Sequence, residues 1–117
     1  MKTVFVVDDD PDQTEIMVQA LSDAQTQVRA FSDPIRALTA LGNEDADLLI
    51  ADLSMPWLDG KDVITKARLR KPSLDIILVS GYARGVDIAQ EAGIRFFQKP
   101  VDWESLRTAV RQALGRE

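Results

Sequence analysis

Five short apolar runs punctuate the chain: "TVFVV" at 3 to 7, "QVRAF" at 27 to 31, "DLLIAD" at 47 to 52, "DIILVS" at 75 to 80 and "IRFF" at 94 to 97. Runs of this length, rich in Val, Ile and Phe, predict strands. Between and after them, apolar residues recur three and four apart, which predicts helices. The series are Ile16, Met17, Ala20, Leu21; Ile35, Leu38, Ala40, Leu41; Val63, Ile64, Ala67; and Leu106, Ala109, Val110, Ala113, Leu114, with a weaker one at Val86, Ala89 and Ala92. Helix starts have their own marks: Asp10 before Pro11 with Gln13 three on, Ser32 or Asp33 before Pro34, and Asp102 before the last series. Gly42, Gly93 and Gly115 stand where helices are expected to stop.

Strict alternation of strand and helix implies a parallel sheet covered on both faces, because each crossover helix packs back over the sheet in a right-handed unit. The first, third and fourth strands are almost continuously apolar, as burial on both sides requires. The expected architecture is a single doubly wound α/β domain spanning residues 1–117, with five parallel strands in the order 2-1-3-4-5 flanked by five helices.

Composition removes several kinds of chemistry. The 117 residues include no cysteine and no histidine. Disulfides, thiolate zinc sites, a Ser-His-Asp triad and a phosphohistidine carried by the chain itself are therefore excluded. A formal charge of −5 disfavours a nucleic-acid surface, and "KARLRK" at 66 to 71 is expected to be a solvated helix face. No apolar run is long enough for a membrane span, and the first residues do not read as a secretory signal. A cytoplasmic chain, monomeric or weakly dimeric, is expected.

In sheets of this order ligands bind outside the carboxyl ends of the strands, at the point between strands one and three where the order reverses. Asp8 and Asp9 follow strand one, Asp52 ends strand three, Ser80 ends strand four and Lys99 follows strand five. Three carboxylates about 5 Å apart repel by roughly 3 kcal/mol per pair at an effective dielectric near 20. An oxygen-only cluster with room for water suits a hard cation, and Mg²⁺ typically takes one or two carboxylates, waters and a phosphate oxygen. Asp52 can then act as a nucleophile toward phosphorus, with the Lys99 ammonium and Ser80 hydroxyl holding other phosphoryl oxygens.

The segments "VVDDD", "ADLSMPWLDG", "LVSGYA" and "FFQKP", in this order between Thr3 and Leu114, resemble the receiver domain of two-component response regulators, a flavodoxin-like fold. The resemblance implies that Asp52 is the phospho-acceptor, that Asp8 and Asp9 are the metal-binding acidic pair, and that the Ser54 carbonyl is a further Mg²⁺ ligand. It also makes Ser80 the switch hydroxyl, Phe96 the switch aromatic and Lys99 the phosphate-binding lysine. The implied donor is a phosphohistidine on a sensor histidine kinase or histidine phosphotransfer protein, and the implied output is control of a partner protein. Lys99-Pro100 resembles a family position where the peptide is cis. The stretch from Gly81 to Gln98 is a few residues shorter than the family usually has, so helix four is expected to be short, about two turns near 86 to 92. That shortening puts in doubt the common dimer through helix four, strand five and helix five. The sequence ends at Arg116-Glu117 with no effector domain after it, as in a stand-alone receiver or one excised from a longer protein.

Plainer readings cover the neighbours. Asp10 is expected to cap a helix, Asp59-Gly60 to form a turn and helix start, and Pro56 to rigidify the loop after Asp52. Trp57 has no polar role and stands either as a kinase contact or as a passive loop residue. Of Phe96 and Phe97, alternation allows only one to be readily buried. A haloacid dehalogenase type phosphatase needs a second Asp two residues after the nucleophile, where this chain has Ser54. A nucleotide or flavin binder needs a glycine-rich turn after strand one, where "DDDPDQTE" offers acid. A phosphorylation-independent adaptor is disfavoured by the full set of site residues.

Overall fold

The computed structural model describes residues 1–52, 60–82 and 85–115. Ser54, Pro56, Trp57 and Asp59, given roles above, lie outside the described residues. The elements run β1 (Lys2–Val7), α1 (Pro11–Leu21), β2 (Thr26–Phe31), α2 (Pro34–Asn43), β3 (Leu48–Asp52), α3 (Gly60–Arg70), β4 (Asp75–Ser80), α4 (Gly85–Ala92), β5 (Arg95–Gln98) and α5 (Trp103–Ala113). The five strands pair in parallel in the order β2-β1-β3-β4-β5, and α4 is indeed two turns long.

Period-two alternation splits the core into two layers. Val4, Val6, Leu48, Ile50, Ile77 and Val79 point to the face packed by Met17 and Leu21 of α1 and by Leu106, Ala109 and Val110 of α5. Phe5, Val7, Leu49 and Ile76 point to the other face, against Leu38 and Leu41 of α2, Ile64 and Ala67 of α3, and Ile88 and Ala92 of α4. Each fully buried aliphatic side chain contributes about 1.5–3 kcal/mol relative to exposure. The two layers therefore fix strand register firmly, since a one-residue slip would exchange their contents.

Helix starts follow the caps. Asp10 accepts the Asp12 amide at 3.0 Å and Asp33 accepts the Ile35 amide at 2.9 Å, each ahead of a proline at the first turn. Asp102 precedes α5 and its carbonyl accepts the Leu106 amide at 3.0 Å, but its side chain caps no backbone amide and its carboxylate accepts the Ser105 hydroxyl at 2.6 Å instead. Gly93 and Gly115 follow α4 and α5 with φ of 70° and 74°, a conformation that disfavours other residues. Gly42 differs from expectation: it lies inside α2, which runs on to Asn43 and is closed by extended backbone at Glu44. Glycine is tolerated within a helix whose apolar face is well buried, so it need not mark the end.

Candidate functional site

The parallel register gathers the site from four strands. Val7 pairs with Ala51, so Asp8 and Asp52 stand side by side one step further on. Asp8 remains within the ladder, its amide donating to the Phe31 carbonyl at 3.0 Å, and its Oδ1 accepts the Asp10 amide at 3.0 Å. Asp52 pairs with Val79 and Ser80 with Gln98. One residue later the Lys99 amide donates to the Ser80 carbonyl at 2.9 Å. Alternation places Asp8 with Val4 and Val6, Asp52 with Leu48 and Ile50, and Lys99 with Phe97, all on the face packed by α1 and α5.

Burial makes this an expensive arrangement of charge. Asp8 and Asp52 are only 2% and 1% exposed. The Lys99 ammonium forms an ion pair with Asp52 Oδ2 and lies 3.5 Å from Asp8 Oδ2. Burial raises the Asp8 pKa to about 7, and a hydrogen bond with Asp52 and its charge raise it too, while the Asp10 amide and the Lys99 charge pull the other way. For Lys99 burial acts to lower the pKa. The hydrogen bond and charge of Asp52, with those of Asp8, outweigh it, so the ammonium is held above its ordinary range. One cation thus faces two buried carboxylates.

Asp9, the next residue along, turns to solvent and is exposed. β1 ends at Val7 and the chain bends at Asp9, which carries Asp9 out of the buried pair that Asp8 forms with Asp52. Among the described residues no group of three or more acidic side chains is disposed to hold a metal ion. The donor set that the fold does assemble, two buried carboxylates with oxygen atoms alone, fits a hard divalent cation that keeps several waters.

Ser80 and Phe96 lie on the opposite face. The buried Ser80 hydroxyl accepts the Tyr82 amide at 3.0 Å. Both phenylalanines of β5 are half-buried, Phe97 against the layer formed with α1 and α5, and Phe96 over the start of α4. The expectation that only one would readily find cover gives way because helices pack on both sides of this edge strand. The Lys99-Pro100 peptide is cis. Tyr82 and Gly85, which connect Ser80 to α4, are residues that sequence reasoning missed. The glycine opening a helix in "GYARGV" was the available signal.

The family model of the response regulator receiver domain matches residues 4–111. The C4-dicarboxylate transport transcriptional regulatory protein of Rhizobium meliloti (strain 1021) is 32% identical over 114 residues, covering 95% of this chain and 25% of that protein. The chain thus spans about a quarter of that relative's length. A response regulator receiver domain protein of Methanospirillum hungatei JF-1 superposes with a TM-score of 0.89 at 25% identity, over 98% of this chain and 94% of that one. A response regulator protein of Thermotoga maritima, solved in complex with Mg²⁺-BeF, superposes with a TM-score of 0.85 at 26% identity, over 97% of this chain and 99% of that one. With a match across most of its length and the strand order and sheet edge already described, the chain belongs to the response regulator receiver domains, the phosphoacceptor signalling domains of two-component systems.

Proposed function

We propose that Asp52 is the side chain that takes the phosphoryl group, from a phosphohistidine on a sensor histidine kinase or histidine phosphotransfer protein. The observation that carries this reading is a buried carboxylate at the carboxyl end of β3, beside Asp8 and in an ion pair with Lys99. A carboxylate oxygen of Asp52 attacks phosphorus, the new O–P bond forms as the P–N bond to the donor imidazole breaks, and the imidazole leaves with a proton. Lys99 exchanges part of its ion pair for a phosphoryl oxygen, and its backbone bond to Ser80 anchors the base of its side chain. The Ser80 hydroxyl, held by the Tyr82 amide before transfer, turns to a second phosphoryl oxygen.

Asp8 and Asp52 would hold Mg²⁺, with Asp9 at the rim and the carbonyl of Ser54 as further ligands. When bound, the ion neutralises charge on the transferring group. The Mg²⁺-BeF complex of the Thermotoga maritima relative supports this choice of cofactor. The output in this reading is a conformational bias, read by a partner protein, in which Phe96 repacks on the face opposite the carboxylates. No helix among the described residues is long and apolar enough to cross a membrane, and the reading places the chain in the cytoplasm, where ATP-dependent kinases charge their histidines.

The test is intact mass after incubation with acetyl phosphate, with and without Mg²⁺, for the native chain and for Asp52→Asn. A single Mg²⁺-dependent phosphoryl adduct that disappears in the variant is expected. An adduct that persists in Asp52→Asn would move the acceptor elsewhere, and no adduct on the native chain would favour an adaptor that works without phosphorylation.

A further inference from the structure

A glycine at the first turn of α4 has no evident backbone reason to be there. Positive φ occurs at Gly93 and Gly115 and not at Gly85. Alanine is the better helix former, so propensity alone argues against glycine at this position. Its surroundings supply the reason. A Cβ built on Gly85 would lie 2.5 Å from Cε1 of Phe96, 3.0 Å from Cζ and 3.2 Å from Cδ1, whereas a Cβ on Gly42, Gly93 or Gly115 would meet nothing within 4 Å. The edge of the Phe96 ring occupies the place that a side chain at Gly85 would take.

The same glycine is tied to the site by the backbone. Ser80 Oγ accepts the Tyr82 amide at 3.0 Å, and the Tyr82 carbonyl accepts the Gly85 amide at 3.1 Å. A single residue, Tyr82, thus holds the Ser80 hydroxyl with its N–H and the start of α4 with its carbonyl. The Phe96 ring rests on that start, and β5 returns it to the sheet, where it pairs with Leu78 two residues before Ser80.

We propose that Gly85 is the positioning residue that couples the Ser80 hydroxyl to the Phe96 ring, its missing side chain being the seat on which the ring bears. The proposal rests on the reading of Asp52 as phospho-acceptor and of Ser80 and Phe96 as its switch. When the Ser80 hydroxyl turns to a phosphoryl oxygen it gives up the Tyr82 amide. Tyr82, whose carbonyl holds the Gly85 amide, is then free to shift and the seat moves with it, so the ring changes place. The contacts are contiguous, and the bistable element is the ring with the first turn of α4.

The test uses the chain labelled with 4-fluorophenylalanine, its Phe96 resonance assigned by loss in Phe96→Leu, with Mg²⁺ and beryllofluoride as the probe. Intact mass after acetyl phosphate reads Asp52 in parallel. In the native chain the Phe96 resonance is expected to shift on adding the probe. In Gly85→Ala it starts from a displaced position and its response is largely lost, while the phosphoryl adduct still forms. A melting comparison gives a second, phosphate-free readout. Gly85→Ala is expected to lower Tm in the native background and to leave it unchanged or raise it in the Phe96→Leu background, where the ring is gone and helix propensity decides. A Gly85→Ala chain that does not fold, beside a folded Gly85→Ala, Phe96→Leu chain, is the same result in stronger form. An adduct accompanied by an equal Phe96 shift in the native chain and in Gly85→Ala overturns the coupling alone, as does an equal fall in Tm in both backgrounds. Absence of the adduct from the native chain overturns the acceptor reading and removes the coupling with it.

Discussion

On the face of the sheet covered by α1 and α5, the carboxyl edge carries Asp8, Asp52 and Lys99, ionisable groups packed at the end of an apolar layer. On the face covered by α2, α3 and α4, the same edge carries the hydroxyl of Ser80 and the half-buried ring of Phe96 resting on a glycine. The first face holds electrostatic energy that desolvation makes large, and its geometry is correspondingly tight. The second holds neutral groups, which carry no such desolvation cost. One strand can serve both because successive side chains alternate, so charged and neutral groups are separated by the thickness of a backbone while sharing its hydrogen bonds.

The charged face depends most on Lys99. Lys99→Met leaves two buried carboxylates facing each other, and is expected to cost about 2–3 kcal/mol in urea unfolding at about pH 8 without metal. The loss should shrink toward pH 5, where Asp8 takes up a proton. An equal loss at both pH values would mean that the lysine acts by packing and not by charge.

Asp8→Asn should act in the opposite direction. The folded-state pKa of about 7 lies above the ordinary value of 3.8, so between these two values the folded chain binds more protons than the unfolded one. Asp8 therefore lowers stability progressively as pH rises through that window. Without Mg²⁺ the variant is expected to be clearly more stable than the native chain at about pH 8 and equal to it near pH 4. Adding Mg²⁺ should raise the native Tm and leave that of the variant nearly unchanged, with the native response weakening as pH falls below 7.

The smallest expected effect calibrates the others. Asp33 caps α2 through the Ile35 amide and is not among the groups that shift Asp8 or Lys99, and Asp33→Ala should cost about 1 kcal/mol with no change in its response to pH between 5 and 8 or to Mg²⁺. A pH- or metal-linked change in this variant would show that such responses are general to destabilised chains and carry no information about the charged face.

The strands and their order were legible because continuous apolar runs and strict alternation with helices leave few topologies. The positions of Asp52, Ser80 and Lys99 along the edge followed from that order. Local pattern did not reveal which neighbours face which way: "VVDDD" offers three acids, and only the register shows that Asp8 joins Asp52 while Asp9 faces water. Nor does spacing announce the upward shift of Asp8, which arises first from burial and then from a partner in a strand far along the sequence. The contact of Gly85 with Phe96 is tertiary, so in the sequence that glycine looks like any other helix start. Gly42 misled in the reverse sense, as a helix stop that α2 runs through.

The brevity of α4 has a consequence for local opening. A helix of 8 residues carries few internal hydrogen bonds and would be marginal on its own in water. Its apolar strip is Ile88, Ala89 and Ala92, of which Ile88 and Ala92 pack on the layer it shares with α2 and α3. Cooperative units with few buried contacts open at the lowest free energy. In this chain a weakly held unit therefore adjoins the Phe96 ring, while the strands that carry the carboxylates are held from both faces of the sheet.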